Sequence, residues 1–206
     1  MSPFIRNYRY LIFFITLAYW LDLYYLNGFS ILRYLTNWAL TLSVICAGLL
    51  SLESAIEKPL RINSFIIAAF CTNVVVMVLY WKLYFKNPDL LYAGSTRMPW
   101  YRDDFVHLFC PLAQMFDAIV FKQAFSNKVF KGGLYFLIIA TSYTLLSEFV
   151  FTLPYPFLWD LDLGQRIYFY TSANVTGILS LLVGLGLSVL FKKVGLIQYF
   201  HPLKIN

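Results

Sequence analysis

Six apolar runs, each about twenty residues long, follow one another along this 206-residue chain and are separated by short polar connections. A helix needs about 20 apolar residues to cross the bilayer core, where its backbone must satisfy its own hydrogen bonds. Hydrophobic residues make up 60% of the chain and charged residues only 13%, well below the roughly 25% of soluble proteins. The sequence therefore predicts an all-α membrane protein built as a bundle of six transmembrane helices.

No long polar stretch interrupts these runs, so residues 1–206 are expected to form a single six-span transmembrane domain. The first run is long, rich in aromatic residues and without a small-residue cleavage site, which favours a retained span over a cleaved signal peptide. The predicted spans are Tyr8 to Leu26, Leu35 to Leu52, Ile62 to Phe85, Phe105 to Phe125, Gly133 to Phe151 and Ile167 to Phe191.

The lysines and arginines indicate how the bundle is oriented. Six crossings place both termini on one side, and ten of the sixteen basic residues fall on that side. By the positive-inside rule, both termini are predicted to be cytoplasmic. The basic residues are scattered between apolar segments and form no patch, so the net charge of +6 does not indicate a nucleic-acid partner.

The cysteines Cys46, Cys71 and Cys110 lie in three different apolar runs with no CxxC spacing. Their odd number and their spacing argue against a disulfide framework and against a zinc site, so we expect small buried side chains. One histidine within the apolar body is also too few to assemble a typical metal or haem site. We expect neither a metal nor another cofactor.

That histidine is His107, near the start of the fourth predicted span. An ionisable ring in hydrocarbon is a functional-site hypothesis by default. The count of crossings puts it on the same side as Thr36, at the start of the second span, and as Tyr155 and Arg166, which precede the sixth. Three separate polar features are therefore predicted at one depth of one leaflet.

A threonine hydroxyl beside a histidine suggests nucleophilic catalysis, because the hydroxyl is a poor nucleophile until a base takes its proton. His107 is placed for this, whereas His201 follows the last span. Asp103 and Asp104 are positioned either to orient its ring or to cap the helix. Simpler interpretations make Thr36 a helix cap and His107 a water-facing interfacial ring.

The fourth span also carries a polar stripe. His107, Pro111, Gln114 and Asp117 recur at helical spacing and are expected to face the bundle interior. Asp117 and Glu148 lie deep in their spans, where charge is expensive. They could be protonated, pair with each other, line a water-filled cavity or make ordinary polar contacts between helices.

Three motifs occur in order along nearly the whole chain: Leu35-Thr36-Asn37-Trp38, His107 followed by Pro111, and Tyr155-Pro156-Phe157-Leu158 followed by Arg166. Together they resemble the androgen-induced gene 1 family. The resemblance implies a multipass threonine hydrolase that cleaves fatty acid esters of hydroxy fatty acids, with Thr36 as nucleophile and His107 as base.

In that interpretation Thr36 is acylated by a lipid ester that enters laterally from the bilayer, and His107 moves the protons. Asp103, Asp104, Arg102, Arg166 and Tyr155 are candidates for orienting the histidine or binding the substrate. Arg97 is a further candidate, with Arg102 and Arg166, for holding a free fatty carboxylate. The endoplasmic reticulum is favoured over the plasma membrane as the location.

Two other functions stay open at this point. One is a non-catalytic multipass membrane protein that binds lipid and regulates or scaffolds a partner. The other is a small transporter that uses Asp117 and Glu148 along a polar path, although no inverted repeat is evident in the sequence. The first alternative needs no contact between Thr36 and His107, and the second needs a path to both leaflets.

Overall fold

The computed structural model describes residues 1–92, 99–151 and 153–195, and six long helices account for most of them. Each of the six is long and apolar enough to cross a membrane. The all-α, six-helix prediction is confirmed, and these ranges contain no strand. The helices are α1 (Pro3–Asn27), α2 (Leu35–Ile56), α3 (Asn63–Lys86), α4 (Trp100–Phe121), α5 (Val129–Phe149) and α6 (Leu163–Lys193).

Several helices begin earlier than their apolar runs predict, because residues outside the runs start them. Pro3 occupies the first turn of α1, where its missing N–H costs no hydrogen bond. At the start of α6, Asp162 and Gln165 form a capping box: the Asp162 Oδ1 accepts from the Gln165 N–H at 2.8 Å, and the Gln165 Oε1 accepts from the Asp162 N–H at 3.0 Å.

The fourth span differs most from its predicted bounds of Phe105 to Phe125. It begins at Trp100 and ends at Phe121, shifted toward the N-terminus at both ends. Pro99 precedes the first turn of α4. After the last turn, Gln123 has a left-handed backbone conformation with φ of 51°, which changes the direction of the chain. Within α4, Phe105–Phe109 and Asp117–Phe121 form π-helical turns.

Helix α3 lies at the centre of the bundle and packs against α2, α5 and α6. Its residues Ile67, Ala68 and Cys71 have no exposed surface. Glycine allows one of these helices to approach closely: a Cβ added to Gly177 of α6 would lie 2.0 Å from the ring of Phe136 on α5. The aromatic side chain therefore rests directly on the α6 backbone.

The interior stripe predicted for α4 is confirmed, since His107, Pro111, Gln114 and Asp117 are all buried. The three cysteines are also buried, as expected, and none forms a disulfide. On which side of the membrane the termini lie stays a prediction, as do the single domain and the organelle.

A network of four buried charges joins the helices near the terminal side of the bundle. Arg9 is only 2% exposed, and its guanidinium contacts both carboxylate oxygens of Asp117 at 3.0 Å. It also lies 3.4 Å from the Glu53 carboxylate, which in turn pairs with Lys122. An unpaired charge costs free energy in the low-dielectric interior of the bundle. Each of these charged side chains therefore stabilises the burial of its neighbours.

This network corrects two expectations drawn from the sequence. Arg9 is one of the ten basic residues that the sequence assigns to the side of the termini as orientation signals, but its side chain is buried inside the bundle. Pairing of Asp117 with Glu148 is wrong, because Asp117 pairs with Arg9 and Glu148 pairs with Arg166 at 3.2 Å. The two carboxylates therefore do not mark one shared polar path.

Replacing Arg9 by Ala should destabilise the fold by about 3–5 kcal/mol, since Asp117 and Glu53 would be left buried without their shared cation. The unfolding of detergent-solubilised protein can be followed with a thiol-reactive dye, because the cysteines are buried in the folded state. Arg6→Ala is the matched control, since Arg6 is exposed on the same helix. Equal unfolding midpoints for both variants would contradict a stabilising role for the network.

Candidate active site

A cavity of about 560 Å³ lies on the side of the bundle to which the sequence assigns its polar features. Residues from all six helices line it, and Tyr155 and Phe157 of the loop before α6 close one part. This volume is in the range of about 300–1,000 Å³ found for small-molecule sites. Thr36, His107, Asp103, Arg102 and Tyr155 all line the cavity.

The Thr36 hydroxyl lies 3.2 Å from His107 Nε2, within hydrogen-bond reach. Thr36 is the second residue of α2, and Tyr34 occupies the N-cap position without a side-chain capping bond. The helix-cap interpretation of Thr36 is therefore wrong. His107 is 6% exposed, so it is also not the water-facing interfacial ring of the simpler interpretation.

The neighbours of Thr36 in its motif fix the turn that precedes α2. The Asn37 side-chain amide donates to the Ile31 carbonyl and the Trp38 indole donates to the Leu32 carbonyl, both at 2.7 Å. These two bonds hold the 3-10 turn Gly28–Arg33 against the first turn of the helix. They thereby set the position of Thr36 at the cavity.

Asp103 orients the imidazole of His107 from one turn earlier in α4. His107 Nδ1 lies 3.0 Å from the Asp103 Oδ1 and 2.9 Å from the Asp103 main-chain oxygen. Both atoms are acceptors, so Nδ1 carries the proton and Nε2 presents a lone pair to Thr36. Of the two roles that the sequence left open for Asp103, orienting the ring is the one its contacts support.

The capping interpretation of Asp103 and Asp104 is wrong, because both lie inside a helix that begins at Trp100. Pro99 occupies the N-cap position and makes no side-chain capping bond. Asp104, although adjacent to Asp103, is not among the described residues that line the cavity.

Sequence reasoning missed Tyr80 of α3, which contacts both the histidine and its carboxylate. Its ring stacks on the His107 imidazole with centroids 3.6 Å apart and an angle of 9° between the planes. Its hydroxyl donates to the Asp103 Oδ2 at 2.5 Å. Tyr80 therefore holds the ring and its partner in place. The sequence contains 16 tyrosines, and none of its patterns distinguishes this one.

Tyr155 covers the first turn of α2 from the loop before α6. Its hydroxyl accepts a hydrogen bond from the Leu35 N–H at 3.0 Å and lies beside Thr36. Burial raises the pKa of the Tyr155 hydroxyl above its ordinary value of 10.0. The phenol is therefore neutral at physiological pH and keeps a proton to donate.

The predicted arginines lie in different surroundings. Arg102 lines the cavity and pairs with Asp22 at 2.9 Å, with 29% of its side chain exposed. Arg166 pairs with Glu148 and donates to the Leu161 carbonyl at 2.9 Å, and it is not among the described lining residues. Arg97 and His201 lie outside the described residues. Arg102 is thus the described arginine best placed to meet a ligand.

The chain is similar in sequence to known proteins. A family model described as FAR-17a/AIG1-like protein matches residues 7–189, and it is the family that the sequence motifs resemble. A membrane protein of the UPF0641 group from Schizosaccharomyces pombe is 28% identical over an alignment of 144 residues that covers 66% of this chain. The match covers 65% of that relative's length. No solved structure matches.

The contacts of His107 predict its tautomer. In protein labelled with ¹⁵N-histidine, the neutral ring should carry its proton on Nδ1, because two acceptors from Asp103 face that atom. NMR in detergent micelles measures this directly, and His107→Gln assigns the signal, since the chain has two histidines. A ring protonated on Nε2 would contradict this arrangement.

Proposed function

Because the chain belongs to the FAR-17a/AIG1-like family, we propose that it is an intramembrane hydrolase of lipid carboxylic esters, with Thr36 as nucleophile and His107 as base. The observation that carries this proposal is the 3.2 Å separation between the Thr36 hydroxyl and His107 Nε2 at the wall of the cavity. The orienting contact of Asp103 with Nδ1 completes the arrangement of nucleophile, base and orienting group.

In the acylation step, the Thr36 oxygen attacks the ester carbonyl carbon while His107 Nε2 takes the hydroxyl proton. The resulting tetrahedral intermediate collapses, the bond to the alcohol oxygen breaks, and the imidazolium returns its proton to that oxygen. The products are an acyl-threonine and a free alcohol. Asp103 stabilises the imidazolium that forms between these two transfers.

Water then completes the cycle. His107 Nε2 takes a proton from a water molecule, and the water oxygen attacks the acyl carbon of the acyl-threonine. When the second tetrahedral intermediate collapses, the bond to Thr36 breaks and the histidine returns the proton to the threonine oxygen. The fatty acid leaves as a carboxylate, so the two steps consume one water for each ester.

Negative charge on the carbonyl oxygen needs donors close to Thr36. The first amides of α2 already have partners, because the Leu35 N–H donates to the Tyr155 hydroxyl and the Asn37 and Trp38 N–H groups donate to the Tyr34 carbonyl. The neutral Tyr155 hydroxyl lies beside Thr36 and keeps its own proton to donate. We assign Tyr155 to stabilising this oxyanion.

The substrate class comes from the family resemblance, which favours fatty acid esters of hydroxy fatty acids or similar lipid esters. Such a lipid would enter laterally from the bilayer into the cavity. A free carboxylate on the alcohol half would meet Arg102 at the mouth. The endoplasmic reticulum is the favoured location for this activity.

A non-catalytic membrane protein that binds lipid and scaffolds a partner is the alternative. It would use the same cavity but would need no hydroxyl within reach of an imidazole. Binding of a fatty ester without its hydrolysis, by folded protein, would favour this alternative.

Replacing the two central residues tests the mechanism. Thr36→Ala and His107→Ala should each reduce the hydrolysis of a fatty ester by about 10³-fold or more, because nucleophile and base act as one unit. The measurement is turnover by purified protein in detergent. Thr36→Ala should also abolish labelling by a fluorophosphonate probe, since that probe reacts with the activated hydroxyl.

Thr176→Ala is the matched control for this test. Thr176 lies on α6, donates to the Ser172 carbonyl at 2.9 Å and is not among the described lining residues. Its loss should leave both turnover and labelling unchanged. Turnover at the wild-type level in Thr36→Ala or His107→Ala would refute the assignment.

Arg102 gives a separate test of substrate binding. Arg102→Gln should raise KM about two- to fivefold for an ester with a free carboxylate, the range expected for a partly exposed ion pair. The methyl ester of the same lipid carries no charge, so its KM should not change. Equal effects on the KM of both substrates would show that Arg102 does not bind the carboxylate.

A further inference from the structure

The cavity continues beneath Thr36 between α3 and α5, in a region that we call the apolar shaft. Tyr80 of α3 and Tyr143 of α5 mark the level of the candidate active site, because Tyr80 contacts His107 and the Tyr143 hydroxyl donates to the Arg33 carbonyl. Both helices run from the terminal side of the bundle toward the side that holds the candidate active site. The shaft is therefore lined by earlier residues on each helix: Thr72, Val75 and Val76 of α3, and Phe136, Ile139 and Ala140 of α5.

The side chains of the shaft suit a hydrocarbon. Five of the six are apolar, and the hydroxyl of Thr72 donates to the Ala68 carbonyl of its own helix at 3.0 Å. The α3 and α5 walls of the shaft therefore present no polar group that requires a polar ligand. The charged groups of the cavity, Arg102, Asp103 and His107, lie at the level of Thr36 or nearer the mouth.

The polar residues on the α6 side lie at two depths. Tyr170 donates to Glu148 at 2.9 Å, outward of Tyr143 on α5. Asn174 lies deeper, because it precedes Gly177, which contacts the Phe136 ring, by only three residues, or roughly 4.5 Å. The α3 and α5 walls are apolar at this depth and Asn174 is a single amide opposite them, so a lipid ester has one direction in which to bury an alkyl chain.

The depth of the shaft follows from helix geometry. Thr72 lies eight residues before Tyr80, or roughly 12 Å along α3, and Phe136 lies seven residues before Tyr143, or roughly 10 Å along α5. Each C–C bond of about 1.5 Å advances an extended zigzag chain by about 1.25 Å, so roughly eight to ten carbons span this depth.

Phe136 closes the lower end of the shaft. It is 2% exposed, and its ring rests on the α6 backbone at Gly177, where an added Cβ would lie 2.0 Å away. The ring has no room to move further toward α6. It is therefore a fixed floor rather than a side chain that swings aside for a longer ligand.

We propose that the acyl half of the ester occupies the apolar shaft and that Phe136 sets the longest acyl chain that fits, with a preference for about eight to ten carbons. This inference rests on the proposed hydrolase function and specifies its substrate. The acyl carbonyl lies at Thr36, the alkyl chain points toward Phe136, and the alcohol half stays at the mouth beside Arg102.

The test is a series of p-nitrophenyl esters from acetyl to palmitoyl, with kcat/KM measured for each chain length in detergent at a fixed concentration. In wild-type protein, kcat/KM should rise by roughly fourfold per methylene, the value for burying one CH₂ group, up to octanoyl or decanoyl. It should then fall, because longer chains meet the Phe136 ring.

Substitutions of opposite direction at two positions locate the floor. Phe136→Leu and Phe136→Ala should move the fall to longer chains by about two to four carbons, since a smaller side chain deepens the shaft. Ala140→Leu, one turn nearer to Thr36, should move it to shorter chains. Phe130→Ala is the matched control, because Phe130 lies on the same helix but is 88% exposed.

The possible results distinguish a failure of the acyl-shaft inference from a failure of the proposed hydrolase function. If the folded Phe136→Leu and Ala140→Leu variants hydrolyse esters with the wild-type chain-length profile, the acyl-shaft inference is wrong and the hydrolase function stands. A wild-type protein that hydrolyses palmitoyl as well as octanoyl esters would also overturn it. If folded wild-type protein hydrolyses no ester in the series, the proposed function itself fails. Should Phe136→Ala not fold, the two milder variants decide the question.

Discussion

Charged side chains inside this bundle are held in pairs, and the position of α4 depends on two such pairings. Near one end Asp117 contacts Arg9 of α1, and near the other Asp103 accepts a hydrogen bond from Tyr80 of α3. A charge buried in hydrocarbon without a partner costs several kcal/mol, so each pairing restricts how α4 can rotate and slide. The cavity lies beside a helix whose rotation is fixed from both ends.

The candidate active site forms where the starts of two helices meet. Thr36 opens α2, His107 follows the first turn of α4, and the Tyr155 loop covers both. Tyr80, from the central helix α3, stacks on the imidazole and holds Asp103. The Arg9 network acts on the opposite side of the bundle. The fold thus separates the charges that stabilise it from those available to a substrate.

The six helices could be predicted because each crossing requires a long apolar run, and the count of crossings placed Thr36 and His107 on one side. The motif resemblance also identified the family that the comparison confirms. The ends of α4 and α6 could be predicted less accurately than the number of helices, because local features such as Pro99 and the Asp162 capping box determine them. The roles of Arg9 and Tyr80 depend on how each helix is rotated, which an almost uniformly apolar sequence barely specifies.

Helix α4 can change in length at its π-helical turns but not between them. A π-helical turn holds one residue more than an α-helical turn, so removing one residue from Phe105–Phe109 would leave an ordinary α-helix whose flanking parts keep their faces. An α-helix turns by about 100° per residue, so the same deletion within Cys110–Phe116 would rotate one part of α4 against the other by that amount. Either Asp103 would leave Tyr80, or Asp117 would leave Arg9. The number of residues in Cys110–Phe116 is therefore under geometric constraint. Insertions and deletions among relatives should accumulate in the connections and outer helices, and alignments across Cys110–Phe116 should stay free of gaps.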